Sequence, residues 1–201
     1  MKQTRPLQDA ARHADEPDWL AELPLTGGPV VQFRHAQPDD QPLITEAIRT
    51  ASPETLLHRF FSPIRSVSPV MLRQMLSIDR ARETCIVGAT EENGTSRIVC
   101  GARYVKLPEA QTAEFAVSVH DDYQRRGLGM FLLKLLAALA RAEGIRRFEA
   151  EVMDSNQKML GLFRKATKSR AGWQRMGDIH HVVLDLATLA PPPSGLIPKT
   201  R

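Results

Sequence analysis

Hydrophobic and polar positions between residues 30 and 187 follow two periods in turn, one suited to strands and one to helices. Val30 to Arg34 alternates and reads as a strand. Pro38-Asp39-Asp40 opens a helix to about Thr50, with Leu43, Ile44 and Ile48 at helical spacing. Ser52-Pro53-Glu54-Thr55 starts a second helix, and Ser68-Pro69 a third that runs to about Ile78. Proline suits the first helical position because its missing N–H would be unpaired there anyway. Thr84 to Ala89 and Arg97 to Val105 read as strands, joined through the hairpin dipeptide Asn93-Gly94. Thr112 to Val119 is a further strand. The helix after it carries a stripe of Leu132, Leu135, Leu136 and Leu139, and Gly144 supplies its stop. Arg147 to Met153 reads as a strand, Asn156 to about Lys168 as a helix, and Trp173 to Leu186 as one or two strands. The fold class is therefore α/β of the mixed, α+β kind.

The ends read differently. Residues 1–28 are mixed polar, with Pro6, Pro17, Pro24 and Gly27-Gly28, and predict a partly disordered tail with a short helix near Asp18 to Leu23. Residues 29–187 form the expected domain, and 188–201, with Pro191-Pro192-Pro193, a second tail. The chain of 201 residues suits one domain, and 42% hydrophobic content suffices for a core. A net charge of +4 fits acidic metabolites, acidic protein surfaces or nucleic acid. Aromatic content of 5%, with no basic run interleaved with aromatics, argues against nucleic acid. Cys85 and Cys100 lie in separate apolar strands, with no C-x-x-C and no Cys/His pair at zinc spacing. They read as reduced core thiols of a cytoplasmic protein that needs no metal. Met1 to Leu25 has no apolar signal-peptide core, and no apolar run approaches the length that spans a bilayer, so no membrane partner is expected.

The most informative stretch is Gln124-Arg125-Arg126-Gly127-Leu128-Gly129, between a strand and a strongly helical run. Gly127 and Gly129 permit positive φ and close approach of backbone to a ligand. A helix start offers unpaired N–H groups and the positive end of a dipole. Together these suit a pyrophosphate. The dinucleotide pattern G-x-G-x-x-G fails at Leu132, and the P-loop pattern lacks its Gly-Lys-Ser/Thr.

From about Val31 to Leu186 the chain resembles the GNAT superfamily of N-acetyltransferases. Its acyl-CoA signature, Gln/Arg-x-x-Gly-x-Gly/Ala, is matched by Gln124, Gly127 and Gly129, and its order of elements matches the order above. The resemblance implies a central mixed, mostly antiparallel sheet flanked by helices. A splayed pair of strands, Thr112–Val119 and Arg147–Met153, would form the acyl-CoA slot. Backbone groups of Arg125, Arg126, Gly127, Leu128, Gly129 and Met130 would hold the CoA pyrophosphate. The backbone of Val117, Ser118 and Val119 would pair with the pantetheine arm. Ser52-Pro53-Glu54, Arg59-Phe60-Phe61-Ser62-Pro63 and Ala113-Glu114-Phe115-Ala116-Val117 resemble the bacterial protein lysine acetyltransferases that modify acyl-CoA synthetases. In that subfamily the Ala-Glu-Phe glutamate is the implied general base, which falls on Glu114.

Glu114 has its own chemical argument. Alternation puts Glu114, Ala116 and Ser118 on one face of their strand and Phe115, Val117 and Val119 on the other. The seven residues from Glu114 to Asp121 span roughly 23 Å, about the reach of an extended pantetheine arm. A lysine amine, which ordinarily titrates at about 10.4, must lose a proton before it attacks a thioester. A partly buried Glu could take that proton directly or through water. The competing reading is a solvated carboxylate on an exposed sheet face. Asn156 is a good helix N-cap, and in the family an asparagine there often bonds the pantetheine region. Arg125 and Arg126 suit phosphate or plain solvent equally. Many relatives carry a proton-donating tyrosine where this chain has Phe163, and the family's Gly-Phe is displaced to Gly172-Trp173.

The expected function is direct acetyl transfer from acetyl-CoA to a protein lysine, with an acyl-CoA synthetase as one acceptor the resemblance suggests. The alternatives are a small-molecule amine acetyltransferase and a non-catalytic acyl-CoA-binding module, the latter favoured by Phe163.

Overall fold

The computed structural model describes residues 19–64, 67–76, 78–92, 94–167 and 172–192. The expectations for residues 1–18, Asn93, Lys168 and 193–201 lie outside these. The elements are β1 (Trp19–Pro24), β2 (Val30–His35), α1 (Gln41–Thr50), α2 (Pro53–Phe60), α3 (Pro69–Leu76), β3 (Glu83–Glu92), β4 (Thr95–Lys106), β5 (Thr112–Val119), α4 (Leu128–Ala142), β6 (Arg147–Met153), α5 (Gln157–Ala166), β7 (Trp173–Met176) and β8 (Ile179–Asp185). Short 3-10 turns precede α1 and follow β5 and β8.

One sheet holds all eight strands in the order β1-β2-β3-β4-β5-β6-β8-β7. Every pairing is antiparallel except β5 with β6. The exception follows from the chain path. Helix α4 joins β5 to β6 as a crossover, and a crossover connection returns the next strand parallel.

Each face of the sheet has its own apolar layer. Under α4 and α5 lie Phe33, Tyr104, Phe115 and Phe148, with the α4 leucines Leu132, Leu135 and Leu136 fully buried. Phe115 stacks on Phe148 at 4.9 Å and meets Phe163 of α5 at 5.5 Å. The opposite face holds a smaller cluster of Ala36, Leu76, Val87, Ala89 and Ile98, with Leu43 and Ile44 of α1 packed against it. No helix among the described residues is long and apolar enough to cross a membrane.

The structure departs from the sequence reading at the N-terminal side. In place of the helix near residues 18–23 stands strand β1, which pairs along β2 from Trp19↔Arg34 to Pro24↔Val30. Leu20, Ala21 and Leu25 are buried. So short a segment cannot sustain a helix alone, and the open edge of β2 offers a ladder that outweighs local preference. This strand lies within the stretch expected as a tail. At the other end Leu189, also expected in a tail, is buried.

Candidate active site

The β5–β6 ladder is short. Thr112 pairs with Arg147, Ala113 with Phe148 and Glu114 with Glu149, and the pairing stops there. Beyond Glu114 the two strands splay. β5 continues to pair with β4 as far as Val119↔Cys100, and β6 with β8 as far as Met153↔Ile179. From Phe115 to Val119 the β6-facing backbone groups therefore have no strand partner. Unpaired backbone groups need hydrogen bonds from water or a ligand. The gap opens into a cavity of about 760 Å³, lined by Glu114 through Val119 of β5, Ala150 to Val152 of β6, α2, the glycine turn and α5.

The glycine turn closes one end. Gly127 caps α4 with φ +86°, a backbone conformation that favours glycine. Gly129 has a different reason from the one expected. It sits inside α4, and a Cβ there would lie 2.8 Å from Leu162 Cδ1, so this glycine lets α5 pack close. Arg125, at φ +62°, is exposed and lines the cavity. Arg126 instead lays its guanidinium over the Tyr123 ring at 5.4 Å and is not among the lining residues. Leu128 is buried in the core, so only its backbone can serve a ligand. Met130 is half-buried and faces the cavity.

Gln124 is held in place by the protein itself. Its side-chain amide donates to Thr55 Oγ1 (3.2 Å), to the Val119 carbonyl (3.1 Å) and to Asp121 Oδ1 (3.3 Å), and its carbonyl accepts from Lys158 Nζ (3.1 Å). Asp121 is the centre of this lock. It accepts from the Ser52 N–H (2.7 Å), the Ser52 hydroxyl (2.8 Å) and the Thr55 hydroxyl (2.8 Å). Burial opposes charge on the Asp121 carboxyl, but these donors outweigh it and hold the carboxyl below its ordinary range. The start of α2 is thus bolted to the end of β5. Sequence reasoning missed this, because Asp121 looked like a strand end and Ser52 like an ordinary cap.

At the other end of the slot stands Glu114. It is exposed, not partly buried, and its side chain lines the cavity. Its strand neighbour Glu149 shares its face and lies 3.7 Å from His181. Across the slot, α2 contributes Glu54, His58 and Arg59. His58 Nε2 lies 3.1 Å from Ser155 Oγ, and Lys158 lies 3.5 Å from Glu54, so polar contacts link α2 to the start of α5 over the slot. Burial holds the Arg59 guanidinium below the usual arginine value, with Arg103 adding to the effect and Glu114 opposing it. Phe61, just after α2, is exposed and takes the left-handed conformation at φ +55°. A non-glycine residue there carries strain, a cost that recurs at functional sites.

Asn156 fills the N-cap role, its Oδ1 accepting from the Met159 N–H at 3.1 Å, and it also lines the cavity. Phe163 is buried between Phe115 and Trp173. Tyr123 lines the cavity, but its hydroxyl donates to Glu92, and burial together with that bond pushes the phenol up to about 12. Cys100 is buried, and burial pushes the Cys85 thiol up to about 11. Neither thiol is poised as a nucleophile.

Comparison with known proteins gives this arrangement its context. The profile of the Acetyltransferase (GNAT) family matches residues 51–167. Acetyltransferase PA5475 of Pseudomonas aeruginosa is 32% identical over 138 residues, which are 69% of this chain and 74% of that protein. Acetyltransferase Pat of Mycolicibacterium smegmatis is 36% identical over 109 residues, 54% of this chain and only 32% of Pat. The GNAT domain of PAT from S. lividans superposes with a TM-score of 0.70 at 27% identity, covering 82% of this chain and 96% of that domain. A parallel strand pair that parts after Glu114, a glycine-capped helix at its far end, and these matches together make the chain a member of the GNAT family of acetyltransferases.

Proposed function

We propose that this acetyltransferase uses acetyl-CoA to acetylate lysine side chains of a protein by direct transfer, with Glu114 as general base. The observation that carries the reading is the end of the β5–β6 ladder at Glu114, which puts a carboxylate where the slot closes and a glycine-capped helix where it opens. Acetyl-CoA supplies the acetyl group as an activated thioester. The unpaired backbone from Val117 to Val119 suits an extended amide-bearing arm, which would complete the ladder that β6 abandons. The α4 N-terminus, with Arg125 beside it, suits the pyrophosphate. Asn156 reaches the same cavity from the start of α5 while capping that helix.

Glu114 is on the face that α2 overlooks, so an acceptor amine entering between α2 and the sheet would meet its carboxylate. It takes the ammonium proton, directly or through water, and frees the nitrogen to attack. A buried Cys100 and a half-buried Cys85 whose thiol is pushed up to about 11 argue for a ternary complex over a cysteine-bound intermediate. The similarity to Pat and to the PAT domain favours a protein acceptor over a small amine. The test is incubation with labelled acetyl-CoA and a panel of purified proteins, acyl-CoA synthetases included, followed by mapping of modified lysines. Label on specific lysines supports the reading. Label only on free polyamines or amino acids refutes the protein acceptor.

A further inference from the structure

A second cavity, of about 130 Å³, borders the slot. It lies between α1, α2 and α3 and the β3–β4 part of the sheet, and its wall includes Ile48, Met75, Cys85, Val87 and Ile98. Thr55, Arg59, Ala116 and Ser118 line both cavities. Ala116 and Ser118 follow Glu114 on the same face of β5, so the two cavities border each other along the stretch beside the thioester end of the cofactor arm.

We infer that this pocket receives the tail of an acyl group longer than acetyl, making short straight-chain acyl-CoAs, butyryl-CoA in particular, substrates of the same site. The inference rests on the acyl-CoA reading above. Apolar side chains form most of the pocket wall, and an apolar cavity of roughly 150 Å³ is large enough to hold a benzene molecule. A short hydrocarbon tail fits that chemistry. An acceptor lysine does not, because the pocket cannot solvate an ammonium and Arg59 and Arg103 in its wall repel one. The reaction is unchanged by chain length. The ammonium proton passes to Glu114, the freed nitrogen bonds the acyl carbonyl carbon, the carbon–sulfur bond breaks, and CoA leaves as its thiol, with the sulfur's electron pair holding the nitrogen's second proton. No further reactant is needed.

The test is calorimetric titration of the whole chain with acetyl-, propionyl-, butyryl- and succinyl-CoA, which requires no acceptor. Burying one methylene corresponds to roughly fourfold in affinity, so butyryl-CoA, with two more methylenes, is expected to bind about 15-fold tighter than acetyl-CoA. Ala47 of α1 also lines the pocket. Ala47→Leu fills it and is expected to remove the butyryl advantage, while acetyl-CoA affinity stays within about twofold and Tm holds or rises. If Ala47→Leu does not fold, the wild-type series decides alone. Acetyl-CoA binding as tightly as butyryl-CoA, or more tightly, overturns the inference and leaves the acyl-CoA reading standing. Succinyl-CoA binding tightest also overturns it, and makes Arg59 a carboxylate site. Failure of every acyl-CoA to bind removes both.

Discussion

Strand β5 has two halves with different fates. Ala113 and Glu114 are paired on both sides, with β4 and with β6, and Thr112 with β6. Phe115 to Val119 is paired with β4 alone. The residue types barely differ: each half alternates apolar residues with small or polar ones. What differs is the neighbour. β6 turns away to follow β8, and the second half keeps its backbone donors and acceptors free of a strand partner on that side. A binding site can thus come from withholding a partner from an ordinary strand, and Glu114 marks where the withholding starts.

The sharpest way to break this comparison is at its boundary. Glu114→Gln keeps the shape but cannot accept a proton. Acyl-CoA affinity should survive while transfer falls by roughly 10²–10⁴-fold, in kcat and kcat/KM together. The deficit should shrink at high pH, where more of the acceptor lysine is already neutral. Wild-type turnover with an unchanged acidic limb in the pH–rate profile would remove Glu114 as base, and the boundary would then be structural only.

At the far end of the open half, Gly127 tests the cradle. Its φ of +86° is strained for any β-branched residue, while the space around its Cβ is empty. Gly127→Val should therefore act through backbone strain of about 1–3 kcal/mol, not through a clash. The turn would relax away from the conformer the pyrophosphate needs, and acetyl-CoA affinity should fall by roughly 10- to 100-fold in calorimetry. Unchanged affinity in a folded variant would detach the signature from phosphate binding.

Much of this was legible in the sequence, and the illegible parts have a common cause. Strands β5 and β6 fall where alternation put them, and α2 begins at its Ser-Pro cap. Those features depend on residues close in the chain. The packing reason for Gly129 and the Asp121 lock depend on partners far along it, Leu162 and α2, and the β1 strand depends on pairing with the next element, β2. The burial of Arg59 likewise comes from α2 lying over the sheet. No local pattern announces any of them. Glu114 was legible as a residue on one sheet face, and its exposure was one of the two readings weighed there; choosing between them depends on what α2 leaves uncovered.

The Asp121 lock joins the end of the open half of β5 to the start of α2, two walls of the slot. Asp121→Asn presents donors where Ser52 and Thr55 also donate. A stability loss of roughly 1–3 kcal/mol is expected, with a smaller rise in KM for both substrates. The pH dependence has a definite sign. The folded carboxyl titrates below its ordinary range, so its contribution is complete above the unfolded value of about 3.9 and is lost as pH falls through the lower folded value. The Tm gap between wild type and Asp121→Asn should be constant near neutrality and narrow under acid. A gap that widens as pH drops would mean that the lock is not ionic.

The mildest expected effect lies on the apolar side of the boundary. Phe163 packs against Phe115, the first residue of the open half, and against Trp173 at 6.5 Å. Its ring is almost fully buried, yet it contributes to the slot lining. Phe163→Tyr adds one hydroxyl to that wall. If the hydroxyl points into the slot, it can donate a proton to the departing thiolate and bond water there, and burial costs little. Turnover should then hold or rise by about threefold, since a CoA thiol leaves readily without help. Tm should change by no more than a few degrees, as for a small change in one buried side chain. If the hydroxyl points into the aromatic cluster instead, it has no partner, and an unsatisfied buried group costs roughly 1–3 kcal/mol. Measuring turnover and Tm on the same variant separates the two. Held turnover with held Tm places the ring edge at the slot. A fall in both makes Phe163 purely a core residue, and the search for a proton donor then moves to the α2 side, where His58 lines the same cavity.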